Sequence, residues 1–195
     1  MFTMLDKREY ASIRSDLDAL SRGKIEVMKQ SREVVKSSKE LIYSIHRGDM
    51  KAAKGFLAKI NAEKAKLDKI ANTPKLRSYS PYSNGVQEYV EAVTYYHVMT
   101  AERIPTRAQL KVESEAYLSG LSDLTGELMR KGVDDMIHER YQHAILLKDT
   151  VNEIYGLMLS LDLDGGETRK KSDAVKWNLA KLEDLVYDAK IRDKI

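Results

Sequence analysis

Proline is nearly absent from this chain: the first is Pro74, and only Pro81 and Pro105 follow in 195 residues. Sandwiches and barrels need a turn every 8 to 12 residues or so, and three prolines with ten glycines cannot supply that punctuation. A mostly helical chain is the natural expectation. Residues 3–47 contain no proline and place Val27/Met28, Val34/Val35, Leu41/Ile42 and Ile45 on one stripe at helical spacing. One long first helix follows, with a kink allowed near Gly23.

The remaining punctuation divides the chain further. Gly48 suits a carboxyl-terminal cap and Asp49 an amino-terminal one, so a second helix over 50–72 should fold back as an antiparallel hairpin. Residues 73–81, with two prolines and several hydroxyls, read as a loop. Ser83 or Asn84 can cap a third helix that runs to 103 and stops before Pro105. Thr106-x-x-Gln109 is a capping-box pattern for a fourth, expected to stop at Lys131-Gly132. A fifth spans 134–161, the Asp164-Gly165-Gly166 turn breaks it, and a sixth spans 167–192. The expected architecture is an all-α bundle forming one compact domain over 1–195.

Several functions are excluded by composition. With no cysteine, the chain has no disulfide, thiolate metal site, iron–sulfur cluster or cysteine nucleophile. The longest charge-free runs, 78–87 and 92–101, reach ten residues, about half of the roughly 20 that span a bilayer. No membrane partner is expected. Asp6, Lys7, Arg8 and Glu9 stand where a signal peptide needs an apolar core, so a cytoplasmic protein is expected.

Net charge is +3, unevenly spread. Residues 1–77 hold 18 Lys/Arg against 10 Asp/Glu, and residues 78–195 hold 15 against 20. A basic half suits a polyanion such as nucleic acid or a lipid surface, an acidic half suits hard cations, and solvated helix faces would account for both. On the first helix Lys29, Arg32, Lys36 and Lys39 form a ridge away from the apolar stripe that can track phosphates. Glu26, Glu33 and Glu40 run beside it, so neutralisation within the helix is an equal reading. Tyr79, Tyr82, Tyr89, Tyr95 and Tyr96 can stack on bases, although packing is their commoner use.

Two acidic pairs carry the candidate chemistry: Glu88/Glu91 at i, i+3 on the third helix and Asp123/Glu127 at i, i+4 on the fourth. Each pair projects from one helix face. If the faces meet, four carboxylates converge, and oxygen-only ligands favour Mg²⁺ or Mn²⁺. Such a cation acidifies water and neutralises charge on phosphoryl oxygens, which suits a phosphodiester. Such pairs also occur on ordinary solvated helices, and Glu88 and Glu91 lie opposite the stripe of Val86, Tyr89, Val90 and Val93. Gly120 and Gly126 flank Asp123 within a helix, which a close-packed neighbour or a ligand would explain. The four histidines show no metal-ligand spacing: His46 sits beside a helix end, His97 on the apolar stripe, and His138 and His143 are expected together on the fifth helix.

Two runs at these same positions carry a family resemblance. Gly85-Val86-Gln87-Glu88-Tyr89-Val90-Glu91-Ala92-Val93 and Tyr117-Leu118-x-Gly120-Leu121-x-Asp123-Leu124-Thr125-Gly126-Glu127-Leu128-Met129-Arg130 resemble the translin superfamily, in particular its translin-associated factor X branch. Weaker matches agree in order: a run from Ser31-Arg32-Glu33 to His46-Arg47, and 176–192 with Glu183-Asp184-x-Val186-Tyr187-Asp188.

The resemblance implies an all-α fold of about seven helices, hollow octamers, binding of RNA and single-stranded DNA, and a metal-dependent endoribonuclease using Mg²⁺ or Mn²⁺. It places the catalytic, metal-holding residues on Glu88, Glu91, Asp123 and Glu127. The translin branch lacks this acidic set, so its presence implies a catalytic member. A long basic amino-terminal extension of the eukaryotic pattern is missing, which suits a compact, archaeal-type homologue. A self-assembling octamer is expected, with Tyr95, Val98 and Met99 offered as apolar contacts beyond one stripe. The alternatives are a translin-type nucleic-acid-binding oligomer without activity and a purely structural scaffold.

Overall fold

The computed structural model describes residues 6–100, 103–161 and 167–195. Among these residues the chain forms eight helices and no strand. They are α1 (Lys7–His46), α2 (Met50–Ile70), α3 (Pro74–Arg77), α4 (Ser80–Met99), α5 (Arg107–Leu110), α6 (Ser114–Ile137), α7 (Tyr141–Ser160) and α8 (Glu167–Ile191). None is long and apolar enough to cross a membrane.

The first hairpin forms as its punctuation predicts. Asp6 caps α1 by accepting from the Arg8 N–H at 2.8 Å, and α1 continues unbroken through Gly23. Gly48 turns the chain at φ +74°, where a residue with a Cβ would be strained, and Asp49 caps α2 through the Ala52 N–H at 2.9 Å.

Later boundaries shift for identifiable reasons. The expected loop 73–81 holds the one-turn α3, capped by Thr73. Pro81 lies in the first turn of α4, where its missing N–H leaves no bond unmade, so Ser83 and Asn84 fall inside the helix rather than capping it. The helix ends at Met99, short of 103. The Thr106/Gln109 capping box is present, yet it closes only α5, which Lys111 terminates at φ 54°. The next helix starts separately at Ser114.

Gly132 does not end that helix. A Cβ there would collide with Leu182 of α8, so this glycine serves a helix contact, and α6 runs on to Ile137. The break comes at Glu139, φ 58°. His138 therefore closes α6 and His143 lies in α7, so the two do not share a helix. Beneath this corner the fully buried Asp135 accepts from Lys131 Nζ and Arg140 Nε, each at 2.6 Å, and contacts His143. Burial alone would raise its pKa, but these partners outweigh it and hold the carboxyl below the usual range. The expected Asp164-Gly165-Gly166 turn lies outside the described residues.

Packing is sequential: α1 lies between α2 and α4, α4 between α1 and α6, and α6 also packs on α7 and α8. The stripe Val27, Val34, Leu41 meets Ile60 and Leu67 of α2 and Val90 of α4, all fully buried. Two glycines set how closely α4 is held. A Cβ on Gly85 would lie 2.5 Å from Ser31 Oγ of α1, and one on Gly120 would lie 2.6 Å from the Val90 side chain and 2.9 Å from the Gln87 carbonyl oxygen. With neighbours on both sides of α4, Tyr95 and Val98 are buried and Met99 is half-buried against the core. Burial withdraws Tyr95 and Val98 from the contacts between copies expected above, while Met99 keeps part of its surface.

Candidate functional site

The close approach at Gly120 brings the acidic face of α4 alongside that of α6. Glu88, Glu91, Asp123 and Glu127 are all half-buried along this junction. Glu88, Glu91 and Glu127 line one cavity of about 320 Å³, closed by Lys39, Tyr43 and Arg130. Asp123 does not line this cavity but a separate one of about 320 Å³ shared with Lys171, and its charge still acts on Glu88 and Glu91.

The electrostatics are those of crowded carboxylates. Burial, followed by the charges of Asp123, Glu88 and Glu127, pushes the Glu91 carboxyl up to about 8. Glu88 is also raised, by burial and Asp123, with Lys39 and Lys171 opposing. Among the described residues neither Glu88 nor Glu91 makes a side-chain hydrogen bond or ion pair.

The other two acids are engaged. Asp123 accepts from Gln87 Nε2 and from Lys171 Nζ, the latter at 3.0 and 2.8 Å from its two oxygens. Glu127 contacts His46 Nε2, with Arg130 at 4.0 Å. His46 in turn faces the Tyr95 hydroxyl across Nδ1 at 3.4 Å. No group of three or more His, Asp or Glu among the described residues is arranged to hold a metal ion as it stands.

A second and larger cavity, about 860 Å³, runs along α1. Arg32, Lys36, Lys39 and Arg47 line it together with apolar Met28 and Phe56. Lys39 and Tyr43 border both cavities, so the basic groove opens onto the carboxylates. Lys29 lies farther along, beside Glu26 and Glu33. The glutamates of α1 form no ion pair with the ridge among the described residues. Glu40 pairs with Lys59 of α2 at 2.8 Å, and Lys29, Arg32, Lys36 and Lys39 are exposed with no ion pair among the described residues.

The tyrosines mostly pack. Tyr82 donates to Asp68 at 3.0 Å, Tyr89 donates to Asn61 at 2.8 Å, and Tyr95 is fully buried. His97 lies edge-on to Tyr96 with ring centroids 5.9 Å apart. Sequence reasoning missed Tyr43, Gln87 and Lys171, and it gave His46 no role. Tyr43 and His46 come from α1, Gln87 from α4 and Lys171 from α8, and those on α1 and α8 meet the acids only once the bundle has packed, so no local spacing announces them.

The sequence profile described as the Translin family matches residues 23–193. The uncharacterized protein MJ0175 of Methanocaldococcus jannaschii is 30% identical over 139 residues, 70% of this chain and 62% of that protein, so the match spans less than two thirds of that relative's length. Translin-associated protein X of Mus musculus is 24% identical, covering 94% of this chain and 78% of that protein. The solved structure of an AfC3PO–duplex RNA complex superposes with a TM-score of 0.83 over 94% of this chain and 97% of that one, at 22% identity.

Proposed function

Since the chain belongs to the Translin family, we propose that it is a metal-dependent endoribonuclease of the factor X type, binding RNA along the α1 groove and hydrolysing phosphodiesters at the carboxylate cavity. The observation that carries this reading is the junction of the two cavities: exposed, unpaired Arg32, Lys36 and Lys39 lead to Glu88 and Glu91, two half-buried carboxylates without partners among the described residues. A row of bare cations suits a phosphate backbone, and the AfC3PO neighbour is described in complex with duplex RNA. Single-stranded DNA presents the same phosphates and is a second proposed ligand.

The donor set fits Mg²⁺ or Mn²⁺. All four candidate ligands, Glu88, Glu91, Asp123 and Glu127, are oxygen donors, and the proton that Glu91 holds up to about pH 8 marks a place where added positive charge is favoured. A divalent cation there would acidify water and neutralise charge developing on the phosphoryl oxygens. The chain's own residues do the rest. Lys39 and Arg130 flank the cavity and hold the phosphate against the glutamates, while His46 orients Glu127 from behind. Water as the nucleophile leaves a 3′-hydroxyl and a 5′-phosphate.

The active species is proposed to be a closed homo-oligomer, an octamer, working in the cytoplasm. Exposed Leu146, Leu157, Trp177 and Ile191 on α7 and α8 supply apolar surface on helices that take no part in lining the groove. Incubating wild-type protein with labelled RNA tests the catalytic proposal. Fragments ending in 5′-phosphate are expected with Mg²⁺ or Mn²⁺ and none with a chelator. RNA binding without cleavage under either metal would favour the translin-type binding role.

A further inference from the structure

Lys171 is held at Asp123 by more than charge. Ser122 Oγ donates to the Lys171 carbonyl at 2.9 Å, and one step along the same helix pair Asn178 Nδ2 donates to Thr125 Oγ1, also at 2.9 Å. Farther on, Leu182 seats against Gly132. These contacts fix the register of α8 on α6. The ammonium then spans both Asp123 oxygens, at 3.0 and 2.8 Å, with the Ser119 carbonyl at 3.4 Å. Both side chains are sheltered, Lys171 at 20% and Asp123 at 34% exposure, so solvent and salt screen the pair less than a fully exposed one.

We infer that Lys171 is a positioning residue that acts as the resident counter-ion of Asp123 and sets the affinity of the carboxylate cluster for a divalent cation by competing for the same two oxygens. The inference rests on the metal-dependent reading above. Gln87 meanwhile keeps Asp123 oriented, so the carboxylate stays aimed if the ammonium leaves. The ammonium's charge also reaches Glu91 and Glu88, so it opposes a second cation across the whole cluster.

The test is Mn²⁺ titration of the full chain without RNA, followed by electron paramagnetic resonance. Lys171→Met keeps the side-chain length and removes the charge, Lys171→Arg restores a cation, and exposed Lys176→Met on α8 controls for loss of any charge. The Lys171→Met protein should bind Mn²⁺ at least about tenfold more tightly, because a like charge within a few ångströms of the ion is gone. Lys171→Arg should return affinity toward wild type, and Lys176→Met should match wild type. Should Lys171→Met not fold by circular dichroism, Lys171→Gln carries the same expectation. Wild type that binds Mn²⁺ beside a folded Lys171→Met or Lys171→Gln that binds no tighter would overturn the inference alone. Absence of Mn²⁺ binding in every protein would overturn the metal reading and this inference with it.

Discussion

Glu91 shows how the site stores an unfavourable charge. The folded protein holds its proton up to about pH 8, whereas the ordinary value is 4.5. The folded state therefore binds more protons than the unfolded state between those limits, and stability falls as pH rises through that window. Glu91→Gln removes the effect. Without metal, its melting temperature should exceed wild type at pH 8 by at least the roughly 2 to 4 °C that about 1 kcal/mol gives at this chain length, and should coincide with wild type near pH 4. An equal advantage at both pH values would trace the gain to something other than the carboxyl charge. The acidic pairs themselves were legible, since i, i+3 and i, i+4 spacing is a local property. Lys171 and His46 were not, because their relation to Asp123 and Glu127 exists only after α8 and α1 have docked.

Among the elements, the lesson lies in the glycines and caps. Long helices, the Gly48-Asp49 hairpin and the Thr106/Gln109 box could be read from sequence because each depends on a few adjacent residues. Whether Gly132 ends a helix or receives Leu182 depends on α8, so spacing alone gave the wrong boundary. Gly120 tests the same idea. Gly120→Ala should destabilise by about 1 to 3 kcal/mol, as overpacked contacts do, since its Cβ would press on Val90 and on backbone. Gly156→Ala in α7 meets nothing within 4 Å and should gain about 0.4 to 1 kcal/mol. Urea unfolding of both proteins checks the contrast. On α1, changing Lys29, Arg32, Lys36 and Lys39 together to glutamine should flatten the log–log salt dependence of RNA binding. Each lost phosphate contact removes about 0.7 from the slope for single strands. A slope equal to wild type would move the binding surface off this helix.

Over the whole molecule, the charge asymmetry becomes a spatial division. The basic first part supplies the groove along α1, and the acidic second part supplies the carboxylates on α4 and α6 that terminate it. Apolar residues left exposed on α7 and α8 should be covered in a closed assembly, so light scattering after gel filtration should give an oligomer, and a monomer mass at micromolar concentration would refute it. Cleavage of RNA at Glu88, Glu91, Asp123 and Glu127, rather than binding alone, is what separates the proposed enzyme from a translin-type binder. The most direct measurement compares wild type with Glu91→Gln for cleavage and binding of one labelled RNA in Mg²⁺ and in Mn²⁺. Wild type should cleave with either metal, and Glu91→Gln should bind the RNA as well but leave it intact. Cleavage by Glu91→Gln at the wild-type rate would rule out catalysis at this cavity.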